Sequence, residues 1–149
     1  MSLFDPKDNQ LFVDRIQSLK PETQRQWGKM DVAQMMAHCI QPMKIAFRET
    51  NPKRGWFGFF LGKMIKNKYI TQGKDFEKNL PTDPTFIQSD PRDFAEQQSL
   101  LLAYVQRWVS EGPAAITTGL HPLFGKMTPE EWDKLTSKHL DHHLRQFGA

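Results

Sequence analysis

Residues 128–147, TPEEWDKLTSKHLDHHLRQF, decide the fold of this chain because they specify one long helix from its first residue to its last turn. Thr128 is a favoured N-cap residue, and Pro129 suits the first helical position because its fixed φ is already helical. Glu131 stands three residues after the cap and completes a capping box. The stretch therefore predicts an amphipathic helix that begins at Thr128 and continues to about Phe147.

One face of this predicted helix combines aromatic, hydroxyl and imidazole side chains. On a helical wheel, four residues fall within about 60° of one another: Trp132, Thr136, His139 and His143. Leucines flank this face on both sides, which indicates that it points into the core. His142 lies at the rim of this face and is expected to face another helix or solvent.

His139 and His143 are four residues apart, so their imidazoles lie one turn apart on a helix. Buried imidazoles need polar partners because an unsatisfied buried polar group is costly. A single metal ion would satisfy both, and an HxxxH pair on one helix supplies half of a tetrahedral site. Hydrogen bonds to carboxylates or water would satisfy them as well, so the spacing by itself leaves both interpretations open.

Three further stretches have apolar residues at helical spacing, at about Asp8–Lys20, Asp31–Glu49 and Asp90–Glu111. Asp31 and Asp90 are the predicted N-caps of the second and third helices. No convincing strand pair, internal repeat or low-complexity segment appears. Four helices with one long crossover between the second and the third predict an all-α four-helix bundle, and a chain of 149 residues suits a single domain over residues 1–149.

A third metal ligand would come from a neighbouring helix, and His38 is the other histidine within a predicted helix. It lies at the edge of the apolar stripe, where a side chain either reaches an adjoining helix or faces solvent. Pro42 removes the helical hydrogen bond to the His38 carbonyl and predicts a kink, which suits a ligand and plain packing equally. Cys39 lies near the centre of the stripe and is expected to be a small buried hydrophobe.

Two more titratable residues are candidates for chemistry near this site. His121, in the loop before the last helix, has three interpretations: a fourth ligand, an acid/base group that lines the site, or an ordinary loop residue. Asp141 lies roughly 160° from His139 on the wheel and is expected to point outward. The sequence therefore names no carboxylate base and no catalytic residue.

Composition limits the class of protein. Hydrophobic residues make up 38% of the chain and charged residues 25%, which is typical of a globular protein, and no apolar run approaches the length of a membrane span. The N-terminus lacks the basic start and apolar core of a signal peptide. One cysteine excludes an internal disulfide framework and suits a reducing compartment. We therefore expect a cytoplasmic protein.

The densest positive charge lies in residues 53–78, which also contain the aromatic run Trp56–Phe60. Four interpretations are open: a lid over a pocket for an anionic substrate, a homodimer interface, a nucleic-acid or membrane surface, and a short helix near residues 56–65 packed on the bundle. Nucleic-acid binding is disfavoured because acidic residues flank the segment and no nucleic-acid motif accompanies it. We expect a small-molecule substrate, no nucleic-acid or membrane partner, and leave a homodimer open.

Two segments of the chain resemble the DinB/YfiT-like superfamily: Trp27–Cys39, WGKMDVAQMMAHC, and His121–Phe147, HPLFGKMTPEEWDKLTSKHLDHHLRQF. More narrowly, they are similar to a branch that ends in an HLDHHLRQFG-type motif. The resemblance extends over the whole chain in helix order and is weak across residues 51–90. It implies a four-helix bundle that binds a divalent metal, often nickel or zinc, through one histidine of the second helix and an HxxxH pair of the last. Carried over residue by residue, these ligands are His38, His139 and His143.

The resemblance also implies a class of chemistry. Three neutral imidazoles leave a coordination position open for water or substrate, which is typical of a catalytic metal site. Some members of the superfamily are transferases and isomerases that use a low-molecular-weight thiol. His142 within the HxxxH pair and the basic-aromatic segment depart from the family pattern, so the substrate and the thiol stay open. The expectations are a metal-dependent thiol transferase, a metal-dependent hydrolase, or a non-catalytic bundle with structural histidines.

Overall fold

The computed structural model describes residues 1–52, 62–80, 88–117 and 119–149. Within these ranges the chain is mainly helical, which confirms the all-α prediction. The four long helices are α1 (Pro6–Ser18), α2 (Val32–Ala46), α3 (Phe94–Glu111) and α4 (Pro129–Gln146). The crossover between α2 and α3 contains a helical stretch at residues 62–66 that continues into a π-helical segment, Asn67–Thr71.

The loop between α3 and α4 contains the small elements of the fold. A 3-10 turn, Pro113–Ala115, follows α3 directly. Two strands of two residues each, β1 (Leu120–His121) and β2 (Gly125–Lys126), then pair antiparallel with His121 opposite Gly125. The sequence showed no such pair, because strands this short carry no alternation of apolar and polar residues.

Two of the predicted helix starts are confirmed in atomic detail. Thr128 Oγ1 accepts a hydrogen bond from the Glu131 backbone N–H at 3.2 Å, and the Glu131 carboxylate accepts one from the Thr128 N–H at 3.0 Å. Asp31 and Gln34 form the same reciprocal pair at the start of α2. These capping boxes satisfy N–H groups that have no partner inside the helix.

Other predicted boundaries are wrong by two to four residues. α1 begins at Pro6, with Asp5 as its N-cap, and it ends at Ser18 rather than Lys20. The cap of α3 is Asp93 rather than Asp90, because the Asp93 carboxylate accepts from the Glu96 N–H at 2.8 Å. The Asp90 carbonyl instead accepts from the Gln34 side chain, which holds this segment beside the start of α2.

The packing of α4 against α2 is what positions the site described below. α3 packs against α1 and α2, and α4 packs against α2 and α1. The largest fully buried side chains between them include Trp108, Trp132, Phe12, Ile16, Met35 and Met36. α2 runs through Pro42 without ending. Across the described residues, every helix is too short or too polar to span a bilayer.

The described part of the crossover lies against α4. Lys138 of α4 donates hydrogen bonds to the carbonyls of Gly73 and Lys74, both at 2.6 Å. Lys66 donates to the Glu131 carboxylate at 2.7 Å. The aromatic run Trp56–Phe60 and most of the predicted short helix lie outside the described residues.

Candidate metal centre

Three histidines from two helices meet where α2 packs against α4. His38 of α2 and His139 and His143 of α4 each place one ring nitrogen within 4.8 Å of the others. Nε2 of His38 lies 2.9 Å from Nε2 of His139. The ring centroids of the three pairs are 4.6 to 4.8 Å apart. This geometry, which we call the histidine triad, could hold one metal ion, and its members are the three residues that the sequence nominated.

The triad is largely shielded from water. His38 is 5% exposed and His143 is 9% exposed, and the residue His139 is of intermediate exposure although its Nδ1 is buried. The sequence left His38 with a choice between an adjoining helix and solvent. Its side chain faces α4, because α4 packs over the edge of the α2 stripe on which His38 lies.

Burial keeps the imidazoles of α4 neutral. Removal from water lowers the pKa of His139 well below its usual value, and the His143 and His38 rings lower it further. Burial likewise lowers the pKa of His143 to about 3, with the His38 ring as the next cause. An imidazolium in an apolar setting beside other imidazoles is unfavourable, which explains the direction of both changes. The neutral imidazole is the form that binds a metal.

The Nδ1 atoms of His139 and His143 have different surroundings. Nδ1 of His143 lies 2.8 Å from Oε1 of Gln146. Nδ1 of His139 is buried and has no hydrogen-bond partner within the described ranges. In the same part of the chain, no carboxylate forms a hydrogen bond with either ring. Within the described residues, carboxylate hydrogen bonds therefore do not satisfy this pair, and a neutral nitrogen donor set fits a divalent ion such as zinc or nickel.

Aromatic and cationic side chains surround the triad. The His142 ring lies next to His143, at 5.2 Å between centroids, and contacts Trp27 and Phe76 at 5.7 and 6.0 Å. Phe76 also contacts His139 at 6.3 Å, and the Lys78 ammonium lies 4.4 Å from the centre of the Trp27 ring. Phe76 of the described crossover thus packs beside the triad.

His121 is buried beside the core rather than in the triad. Its Nδ1 accepts hydrogen bonds from the Leu123 and Phe124 N–H groups at 3.0 and 3.1 Å, so that nitrogen is not available as a ligand. Its ring packs against Phe124 and Trp132, at 4.6 and 4.9 Å between centroids. It lies near enough to influence His139 electrostatically. Among the three interpretations, the fourth ligand is the one that this Nδ1 geometry disfavours.

Two further predictions about single residues are confirmed. Cys39 is fully buried against Met35, with 3.7 Å between the sulfur atoms, and burial raises the pKa of its thiol, so it is an inert core residue. Asp141 forms ion pairs with Arg15 at 2.8 Å and Arg145 at 3.0 Å. The Asp141 carboxylate therefore points away from the triad and supplies no base.

Comparison with known proteins covers nearly the whole chain. Residues 4–149 match the family described as "Protein of unknown function (DUF1569)". The chain belongs to this family. The match includes all three histidines of the triad. No curated protein and no solved structure matches the chain.

Sequence reasoning missed three residues around the triad of this DUF1569 member. Gln146 stands three residues after His143, a spacing that places both on one helix face and could have identified it. Trp27 belongs to a segment that the resemblance quotes, but nothing local indicated that its ring would contact His142. Phe76 lies in the crossover, where no periodicity showed which aromatic residue would turn inward.

Proposed function

We propose that this chain is a DinB-like four-helix bundle in which the histidine triad holds a catalytic divalent metal, nickel or zinc. The observation that carries the proposal is the convergence of three ring nitrogens from α2 and α4 within 4.8 Å. Two of these rings are held neutral by burial. A cation bound there would take lone pairs from all three rings at once, whereas a hydrogen bond between Nε2 of His38 and Nε2 of His139 involves only two of them.

The reaction class that we favour is transfer with a low-molecular-weight thiol. A divalent metal bound by three imidazoles supplies an open coordination position and lowers the pKa of a thiol or water bound there. The protein's own contribution is to orient and to exclude water: Phe76 covers one side of the triad, and His142 and Trp27 line it. The Lys78 ammonium beside Trp27 adds positive charge that suits an anionic small molecule.

Two alternatives rest on the same site. The engagement of the Asp141 carboxylate in ion pairs with two arginines is compatible with a hydrolase in which the metal would provide the nucleophilic hydroxide. It also favours a non-catalytic bundle, in which the ion only links α2 to α4. A cytoplasmic setting and a homodimer remain part of the proposal, on the single cysteine and on the aromatic residues of the crossover.

Metal analysis of the purified protein tests the site. We expect close to one equivalent of nickel or zinc in the wild type and none in a His139→Ala/His143→Ala variant. His142→Ala is the matched control, because it removes an imidazole of the same helix that lies outside the triad. Equal metal content in the wild type and the double variant would refute the site.

Substrate classes are then separated on the metal-loaded protein. A low-molecular-weight thiol that binds at the metal should raise the thermal midpoint of the wild type and leave the double variant unchanged. Hydrolysis of model esters without any thiol would favour the hydrolase. A metal-loaded protein that responds to neither would favour the non-catalytic bundle.

A further inference from the structure

We infer that Gln146 is a positioning residue that selects which nitrogen His143 offers to the triad, and that Gly28 is a glycine in order to leave room for it. The expected effect on metal affinity rests on the proposed function. The hydrogen bonds themselves lie within the protein and can be tested without metal. They run from the Trp27 carbonyl through the Gln146 amide to the His143 ring.

The first step fixes the direction of the Gln146 amide. Its Nε2 donates a hydrogen bond of 2.6 Å to the backbone carbonyl of Trp27. A carbonyl can only accept, so the NH₂ end of the amide must face Trp27. The Gln146 side chain is 3% exposed, so no bulk water competes for this contact. The Oε1 end is therefore the one that faces His143.

The second step fixes the tautomer of His143. Oε1 of Gln146 lies 2.8 Å from Nδ1 of His143. An amide oxygen is an acceptor only, so Nδ1 must carry the proton. A neutral imidazole has one N–H, which leaves Nε2 of His143 with its lone pair free. That is the nitrogen that remains for the His38 and His139 side of the ring.

Residues 26–28 hold the Gln146 amide in its orientation and its place. The Gln26 backbone N–H donates to the Gln146 carbonyl at 2.8 Å, which ties the 26–28 turn to the end of α4. Gly28 has a φ of +84°, and a Cβ at that position would lie 2.3 Å from Nε2 of Gln146. Glycine is thus required twice, by the left-handed backbone and by the close approach of the amide. A side chain at position 28 would displace the amide from its place between Trp27 and His143.

In metal sites, histidine ligands are commonly oriented by a hydrogen bond from their second ring nitrogen, and Gln146 makes such a bond to His143. Such partners fix the tautomer and the ring orientation, and their loss typically costs roughly 10- to 100-fold in metal affinity. Gln146 does not touch the triad's shared centre. It acts through His143, and this distinguishes it from the three ligands.

Nuclear magnetic resonance of the metal-free protein tests the tautomer directly. Long-range ¹H–¹⁵N correlation on histidine side chains at neutral pH should show His143 protonated at Nδ1 in the wild type. Gln146→Leu should lose that preference, whereas Gln146→Glu, which keeps an acceptor at the same place, should retain it. A wild-type His143 protonated at Nε2 would overturn the inference, whatever the variants do.

Metal affinity tests the consequence, by competition of zinc or nickel between the protein and a chromogenic chelator. We expect Gln146→Leu and Gly28→Ala each to weaken binding by roughly 10- to 100-fold. Gly112→Ala is the matched control: Gly112 has a φ of +69°, and its Cβ would meet nothing within 4 Å. It likewise places a Cβ at a positive φ, without contact to Gln146. Equal losses in Gly28→Ala and Gly112→Ala would overturn the role of Gly28.

The metal site and the positioning role of Gln146 can be refuted separately. If the wild type binds no metal, the proposed function is refuted, while the tautomer measurement still decides the hydrogen-bond chain. If the wild type binds metal and Gln146→Leu binds it equally well in a folded protein, the positioning role is refuted and the triad stands. Folding of each variant is checked by its thermal midpoint without metal.

Discussion

α4 carries two buried polar clusters that differ in how their atoms are satisfied. Near its start, Asp133 accepts a hydrogen bond from the Leu3 N–H at 2.6 Å, while Asn9 of α1 donates to the carbonyls of Leu3 and Val105, both at 2.8 Å. We call Leu3, Asn9 and Asp133 the N-terminal clasp. Near the end of α4 lies the histidine triad.

The difference lies in donors and acceptors. In the clasp, an amide and a carboxylate meet backbone groups of the opposite kind, so this cluster is complete within the protein. In the triad, Nε2 of His38 and Nε2 of His139 lie within hydrogen-bonding distance at 2.9 Å, whereas the His139 Nδ1 is buried with no partner in the described part of the chain. The clasp is thus a structural joint, whereas we propose that the triad binds a metal ion.

The largest effect should come from removing the triad member that the sequence supported least. His38→Ala removes one of three nitrogens from α2, so we expect zinc or nickel affinity to fall by more than the roughly 100-fold that an outer partner typically contributes. Competition with a chelator measures the loss. Gln41→Ala on the same helix is the control, since Gln41 donates to the Ala37 carbonyl of its own helix. Unchanged affinity in His38→Ala would place the metal elsewhere.

The second effect is the response of the metal-free protein to acid. The native pKa values of His139 and His143 lie below the values of the same residues in the unfolded chain. The native pKa of His143 is about 3. Between the native and unfolded pKa values the unfolded chain binds more protons, so stability falls as the pH drops below about 6.5. The slope is roughly 1.4 kcal/mol per pH unit for each imidazole that must stay neutral.

Chemical denaturation at several pH values between neutrality and pH 5 measures this slope. Replacing both histidines, as in His139→Asn/His143→Asn, should reduce the slope, and the lowered pKa of His142 should account for part of what is left. Equal slopes in the wild type and this variant would mean that His139 and His143 have the same pKa values in the folded and the unfolded protein.

The third effect concerns the clasp and should separate it from the triad. Asn9→Ala leaves the Leu3 and Val105 carbonyls buried without their donor, so we expect the free energy of unfolding to fall by about 2–3 kcal/mol. Metal affinity should not change. Gln10→Ala is the matched control, because Gln10 is exposed and donates to the Asp14 carboxylate of its own helix. A loss of metal binding in folded Asn9→Ala would show that the two clusters are coupled.

The smallest effect is expected at the cap of α4. Thr128→Ala removes the side chain that accepts from the Glu131 N–H, which should cost about 1 kcal/mol of stability. The loss should be the same with and without metal, since the cap lies at the end of α4 opposite to the triad. Thr128→Ser should retain most of the stability. A cap loss that depends on metal would contradict the separation of the two ends.

Much of the architecture could be predicted because its causes are local. The capping boxes at Thr128 and Asp31, and the HxxxH face of α4, follow from spacing along a few residues. Boundaries such as that of α3 could not be fixed in the same way. Asp90 and Asp93 are both good N-caps, and the choice depends on where the chain meets Gln34 of another helix.

The candidate site, too, could be predicted in part from local spacing and in part depends on contacts between distant segments. Sequence spacing determined that His139 and His143 share a helix face, because a helix repeats every 3.6 residues regardless of its surroundings. Only the packing of α2 against α4 decided that His38 faces this pair rather than solvent. Likewise, Gln146 reaches Trp27 only because the 26–28 turn folds back onto the end of α4. Local bonding rules set which side chains share a face, whereas contacts between distant segments depend on how the whole chain buries its apolar surface.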